Sequence, residues 1–191
     1  MSSLKADFDE LRERARQSRE ISSTGFEPIY YLIFPPSQIL DVKRQTPGWI
    51  ARLTNEGWYV RIFSIAEEIE AILQADPRRS LWLRADRAAP QEWDKANQSI
   101  ANALVTNDAL QKHLEVLLAS VEGDENCLIL VTDLEALHPY LRIGALESRL
   151  QGQFHVPTVF LYPGVRTGSA RLKFLGFYPE DGNYRSVHIG G

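Results

Sequence analysis

Asp133 stands near the end of the apolar run CLILVTDL, Cys127 to Leu134, and is the carboxylate of this chain best placed for chemistry. The carboxyl end of a buried parallel strand is the side of a sheet where ligands bind. There a carboxylate can hold the metal of a nucleotide site. It can also cap the Leu134–His138 turn, which is the simpler role. Arg142, Arg166, Arg171 and Arg185 lie on later segments, with His138 and His188. Guanidinium groups gathered at one rim would grip a phosphate or a partner's carboxylate bidentately. The plainer alternative is pairing with Glu135, Glu147, Glu180 or Asp181. In the tail, Tyr184, Ser186 and His188 alternate with Arg185, Val187 and Ile189, so the two sets face opposite sides of a strand. Candidate ligand- or partner-binding residues are therefore Asp133, His138, Arg142, Arg166, Arg171, Tyr184, Arg185 and His188.

None of these completes a known catalytic apparatus. A P-loop nucleotide site needs a glycine-rich turn after the first strand, ending in Lys and Ser or Thr, so that bare amides wrap phosphates. Here that turn reads FPPSQIL. Its two prolines remove two amide donors, no glycine is present, and no lysine follows in place. PGVRTGSAR, Pro163 to Arg171, has glycines and basic residues but follows the wrong strand. No G-x-G-x-x-G offers a dinucleotide cradle, and no G-x-S-x-G offers a hydrolase elbow. His113, His138, His155 and His188 are far apart and form no paired ligand motif. Cys127, the one cysteine, lies in an apolar run and reads as a reduced core residue. We therefore expect no catalytic residue, no cofactor and no metal.

The elements that must position these residues follow from the apolar patterning. Ser3 to Ile21 predicts a helix capped by Ser3, with Leu4, Phe8, Leu11 and Ala15 as its narrow apolar stripe. Residues 1–24 are read as a helical segment that packs on the domain or docks a partner. PIYYLIF predicts a strand buried on both faces. SQILDVKRQTPGWIARLTNEG predicts a helix broken at Thr46–Gly48. WYVRIFSI predicts a second strand and AEEIEAILQAD a helix, with Leu81–Leu83 as a short strand. The stretch to Gly123 reads as two helices broken near Thr106–Asp108. CLILVTDL, VPTVFLYPG and LKFLGFY complete five strands, with a helix LRIGALESRLQGQF after Pro139 and a polar loop VRTGSA. Asp181-Gly182 is a strong turn signal, so FLGFY and YRSVHI predict an antiparallel hairpin at the sheet edge. Trp49, Trp58, Trp82 and Trp93 fall on different elements and read as packing residues. Strands alternating with helices give a mainly parallel five-stranded sheet with helices on both faces. Residues 1–191 read as one three-layer α/β domain, compatible with a degenerate, nucleotide-free P-loop-like fold.

With 191 residues, 44% apolar and 24% charged, the chain can bury a core without disulfides or metal. Its net charge of −4 argues against broad attraction to nucleic acid, so direct DNA binding is not expected. No stretch approaches the ~20 apolar residues of a membrane span, and the N-terminus lacks the apolar segment of a secretory signal. A cytoplasmic location without membrane contact is the expectation.

Three segments carry a family resemblance: LILVTDLEALHPYLR, then LESRLQGQFHVPTVFLYPGVRTG, then LKFLGFYPEDGNYRS followed by HI. Together they resemble the BrxB family of bacterial BREX (bacteriophage exclusion) systems. FPPSQILDVKRQ also fits, at a strand-loop-helix of that family. The resemblance implies a small component of an anti-phage defence assembly and a role as adaptor or scaffold without catalysis. It implies the BREX proteins PglZ and BrxC as foremost partners and PglX as a further one. The contacts expected are the segment Tyr178–Ile189, the loop Pro163–Ala170 and the N-terminal helix, with a homodimer through the tail as a further form of association. The rival expectation is nucleotide or nucleic-acid binding without a Walker A motif, using Asp133, His138, Arg142, Arg166 and Arg171.

Overall fold

The computed structural model describes residues 3–20, 27–105, 108–168, 171–182 and 186–191. IYYLIF forms β1 (Ile29–Phe34), with every residue buried. Its odd positions face one hydrophobic layer and its even positions the other, as the two-residue period of a strand requires. The other strands are β2 (Tyr59–Ser64), β3 (Cys127–Thr132), β4 (Thr158–Thr167), β5 (Arg171–Phe174) and β6 (Val187–Gly190). The sheet order is β2-β3-β4-β1-β6, parallel throughout, and β5 pairs antiparallel with the far half of β4.

One helical layer holds α1 (Leu4–Glu20) and α2 (Ile39–Asn55). Ser3 Oγ accepts from Ala6 N at 3.2 Å, capping α1 as its sequence suggests. Phe8, Leu11 and Ala15 are buried against β1 and β6, and Phe8 stacks on Trp49 with ring centroids 4.7 Å apart. The expected break in α2 is absent. Val42, Trp49 and Leu53 lie on one buried stripe across Pro47, so packing keeps the helix continuous where its hydrogen-bond ladder loses a donor.

The other layer holds α3 (Ile65–Ala75), α4 (Arg79–Ala88), α5 (Trp93–Val105), α6 (Ala109–Ser120) and the short α7 (Ile143–Arg149). Ser64 Oγ caps α3 by accepting from Glu67 N at 3.3 Å. Leu81–Leu83 lies in α4, not in a strand. A run of three apolar residues fits either element, and in the fold it lies on a helix away from the sheet. Trp93 is 59% exposed, so it is not the packing residue expected, whereas Trp49 and Trp58 are buried.

The tail lies at the sheet edge but pairs differently from the expected hairpin. β5 turns back on β4, Leu172 and Asp181 bridge antiparallel, and the chain then crosses to lay β6 parallel to β1. The segment expected as a polar loop, VRTGSA, instead begins as the end of β4. Gly164 permits this: a Cβ there would lie 2.4 Å from the Tyr162 ring and 2.6 Å from the Lys173 carbonyl. Gly190 closes β6 against β1 with φ +75°, where a Cβ would lie 2.6 Å from the Ile33 carbonyl. No helix among the described residues is long and apolar enough to cross a membrane.

Candidate functional site

The carboxyl rim of the sheet is built from the ends of β1, β2 and β3. Asp133 follows β3 with φ 59°, a left-handed conformation that a short polar side chain tolerates. It does not cap the turn after it. Its Oδ2 accepts from the hydroxyls of Ser64 and Thr132, each at 2.8 Å, and Lys43 Nζ of α2 reaches its Oδ1 at 2.6 Å. The same ammonium lies 2.7 Å from Glu135 Oε1. Burial alone would raise the Asp133 pKa, but Lys43, Thr132 and Ser64 together hold it below the usual carboxylate range. Burial would lower the Lys43 pKa, and its two carboxylates raise it instead. The cation at this rim is thus Lys43 of α2, and both Asp133 and Glu135 pair with it. Beside it lies a cavity of about 270 Å³, with Phe34, Val42, Ile50 and Leu161 among its apolar lining and Lys43, Glu67, Asp133 and Glu135 among its charged groups.

A second cluster joins the turn after β3 to the turn after β5. His138 Nδ1 lies 2.5 Å from the Tyr178 hydroxyl, and the Arg142 guanidinium sits 4.7 Å from the Tyr178 ring centroid. Phe177 stacks on Tyr178 at 4.8 Å and meets His138 edge-on at 5.4 Å. Phe177 is 62% exposed. His138 and Arg142 were both legible as candidates; Phe177 was not, because only the fold shows that this aromatic points away from the core.

A third cluster is buried. The Tyr31 hydroxyl donates to Glu147 Oε2 at 2.5 Å, and His188 meets the Tyr31 ring edge-on at 5.7 Å. Burial pushes the Glu147 carboxyl up to about 7, with Glu27 and Asp181 adding to the shift and Tyr31 opposing it. Burial, then the charge of Arg166, lowers the His188 pKa. Ser186 Oγ lies 3.3 Å from His188 Nε2, so those two residues share a face as expected. Arg171 pairs with Glu180 at 3.4 Å, the plainer alternative for that residue. Tyr184 and Arg185 lie outside the described residues. The eight candidates therefore do not form one site. Asp133, the His138–Arg142 pair and His188 beside Arg166 occupy three environments.

Burial, then Asp124, pushes the Cys127 thiol up to about 11, away from the reactive thiolate. Among the described residues no group of three or more His, Cys, Asp or Glu is arranged to hold a metal ion.

A protein family described as "BREX protein BrxB" matches residues 69–189, well over half of the chain. The chain belongs to the BrxB family. It is thereby a component of a BREX defence system. The match runs from α3 to β6 of this BrxB-family chain, so Asp133, His138, Arg142, Phe177 and Tyr178 lie inside it and Lys43 lies outside. Comparison with curated proteins and with solved structures gives no match.

Proposed function

We propose that this BrxB-family chain is a non-catalytic adaptor that holds other BREX proteins together, with PglZ and BrxC as foremost partners and PglX as a further one. The observation that carries the reading is the surface cluster in which exposed Phe177, His138 and Arg142 surround the half-buried Tyr178. An exposed aromatic ring beside an arginine held across a neighbouring tyrosine presents the kinds of side chain that dominate binding energy at protein interfaces. The rim beside β1 supports the same reading, since its lysine is engaged by Asp133 and Glu135 and its turn is stiffened by Pro35 and Pro36. The test is co-purification of the full chain with PglZ, BrxC and PglX, one at a time, against the double variant Phe177→Ala with Arg142→Ala. The wild type retains at least one partner, and the double variant loses affinity by about 2 kcal/mol or more. Failure of the wild type to retain any of the three at low salt removes the adaptor reading.

A second reading is favoured by the cavity at the carboxyl rim, where Lys43 and Asp133 lie at the place a nucleotide would use. A phosphate there must displace Asp133 or Glu135 from Lys43 and approach Glu67 as well. Thermal melts with ATP, GTP and their diphosphates, with and without Mg²⁺, decide it. A rise in Tm that Lys43→Ala abolishes would support nucleotide binding. A flat Tm across the set counts against it.

A further inference from the structure

The connections at the carboxyl ends of the strands part in two directions. β1 runs on into α2, whose Val42, Trp49 and Leu53 pack in one hydrophobic layer. β2 runs on into α3, and β3 into the turn and helix that carry Leu134, Leu137 and Ile143, all in the opposite layer. The crevice left where such connections diverge is the place in an open parallel sheet where ligands bind. The cavity of about 270 Å³ lies there, with Phe34, Ser64 and Thr132 from the ends of β1, β2 and β3 in its wall. That volume is just below the about 300 Å³ at which small-molecule sites begin, so its occupant is about the size of one long side chain.

The hydrogen-bonding capacity of the lining is one-sided. Thr132 and Ser64 direct their hydroxyl protons to Asp133, and Thr46 directs its own to the Val42 carbonyl. Lys43 is the one cation of the lining and turns to Asp133 and Glu135. Glu67, at the exposed end of the cavity, makes no ion pair among the described residues. One ammonium against three carboxylates leaves the lining with a formal excess of two negative charges. What the lining offers a ligand is therefore acceptors, not donors. Its other walls are apolar: Val42, Pro47, Ile50 and Ile62 line it, and Ile62 is 52% exposed.

We infer that this cavity binds an ammonium or guanidinium group carried on a short aliphatic stem, with its head at Glu67 and Glu135 and its stem along Pro47, Ile50 and Ile62. Lys43 is itself a group of that kind, already held by two of the acids. An anion meets a single donor that is doubly paired, and three carboxylates repel it. A neutral apolar ligand would cover Glu67 and Glu135 without giving them a partner, which is costly. A bare inorganic cation would leave the apolar walls in water, and no described group of His, Cys, Asp or Glu is arranged to hold one. Two sources supply the favoured chemistry: a free alkylamine, or the lysine or arginine side chain of another protein. The inference goes beyond the adaptor reading and competes with a nucleotide for the same cavity.

The test is calorimetric titration of the full chain, with thermal melts alongside, using putrescine, agmatine and Nα-acetyl-lysine methylamide as cations. Butanoate and butanol are the controls of matched stem. The expected result is saturable binding of at least one cation at millimolar concentration or below, with neither control bound. Glu67→Gln, a change at an exposed position, should weaken it about tenfold or more, the loss of one charge-assisted hydrogen bond. Lys43→Met removes the competing ammonium and should tighten it, whereas loss of Lys43 would abolish nucleotide binding, so one variant moves the two ligands in opposite directions. Circular dichroism checks that both variants are folded, and Glu67→Gln alone carries the test if Lys43→Met is not. Tighter binding of putrescine or agmatine assigns a free amine, and tighter binding of the blocked lysine assigns a protein side chain. No binding of any of the three cations, equal binding by wild type and Glu67→Gln, or butanoate bound as tightly as the cations overturns the inference. Co-purification with PglZ, BrxC and PglX is a separate measurement, so the adaptor reading stands or falls independently.

Discussion

Asp133 and Glu147 both accept hydrogen bonds from hydroxyl groups, and their acidities move in opposite directions. Asp133 sits at the carboxyl rim beside α2, where two hydroxyls and the Lys43 ammonium converge on one carboxylate. Glu147 sits on α7 over the middle of β1, with a neutral tyrosine as its donor and Glu27 and Asp181 as charged neighbours. Burial opposes ionisation in both places. Lys43 and the Thr132 and Ser64 hydroxyls together outweigh it at Asp133, whereas at Glu147 the charged neighbours Glu27 and Asp181 add to it and leave burial in control. The rim is thus a charged structure held together at neutral pH. The pocket under α7 is a neutral structure that neutral pH begins to ionise.

The largest effect that follows is a pH dependence at Glu147. Its folded-state pKa is raised from 4.5 to about 7, so its stabilising contribution is complete below pH 4.5 and is lost as pH rises through about 7. The loss amounts to about 3 kcal/mol. Glu147→Gln keeps a neutral group at every pH. In urea titrations the stability of this variant relative to wild type should rise by about that amount between pH 4.5 and 8. Two stability curves that run parallel over this range would break the contrast with Asp133. The next effect in size belongs to the donor. Tyr31→Phe leaves Glu147 without its hydroxyl and should cost about 2 kcal/mol. The cost should be greater at pH 8 than at pH 5, because a hydrogen bond to the ionised form is the stronger one. An equal cost at both values would mean that Glu147 does not change its charge there.

Neither of these sites was fully legible in the sequence, and the reasons are physical. β1 and β3 were readable because strands buried on both faces are nearly continuous apolar runs, as IYYLIF and CLILVT are. The strand-helix alternation therefore conveyed the layered parallel architecture. β6 was readable as a strand but not in its pairing. Asp181-Gly182 signals a local reversal, whereas Ile189 is buried in the layer that holds Phe8 and Leu32, and that long-range burial places the strand on β1. Asp133 was visible at its strand end, but Lys43 lies 90 positions earlier on a surface turn of α2, and no local pattern links the two. Glu147 read as an acid available for ordinary pairing with one of the arginines. Its burial follows from α7 being short and set directly over Tyr31, which only the packed structure reveals. In α4, the short apolar run Leu81–Leu83 suggested a strand because three residues cannot show whether a sheet edge is near.

The smallest effect is at the rim, and it is also the one that distinguishes the two carboxylates most directly. Asp133→Ala should cost about 1 kcal/mol at pH 7, since Lys43 is 48% exposed and keeps Glu135. The folded-state pKa of Asp133 is depressed below 3.8, so its contribution is present above that value and is lost as pH falls through the folded pKa. The difference between wild type and variant should therefore stay level from pH 5 to 8, the range over which the Glu147 effect develops. Salt separates them further. At 1 M the Debye length is about 3 Å, so the half-exposed Lys43–Asp133 pair is screened. The Glu147 effect arises mainly from burial and should persist. A loss of pH dependence at Glu147 in 1 M salt, with Asp133→Ala still costing its full amount, would reverse the assignment of which site is governed by charge and which by desolvation.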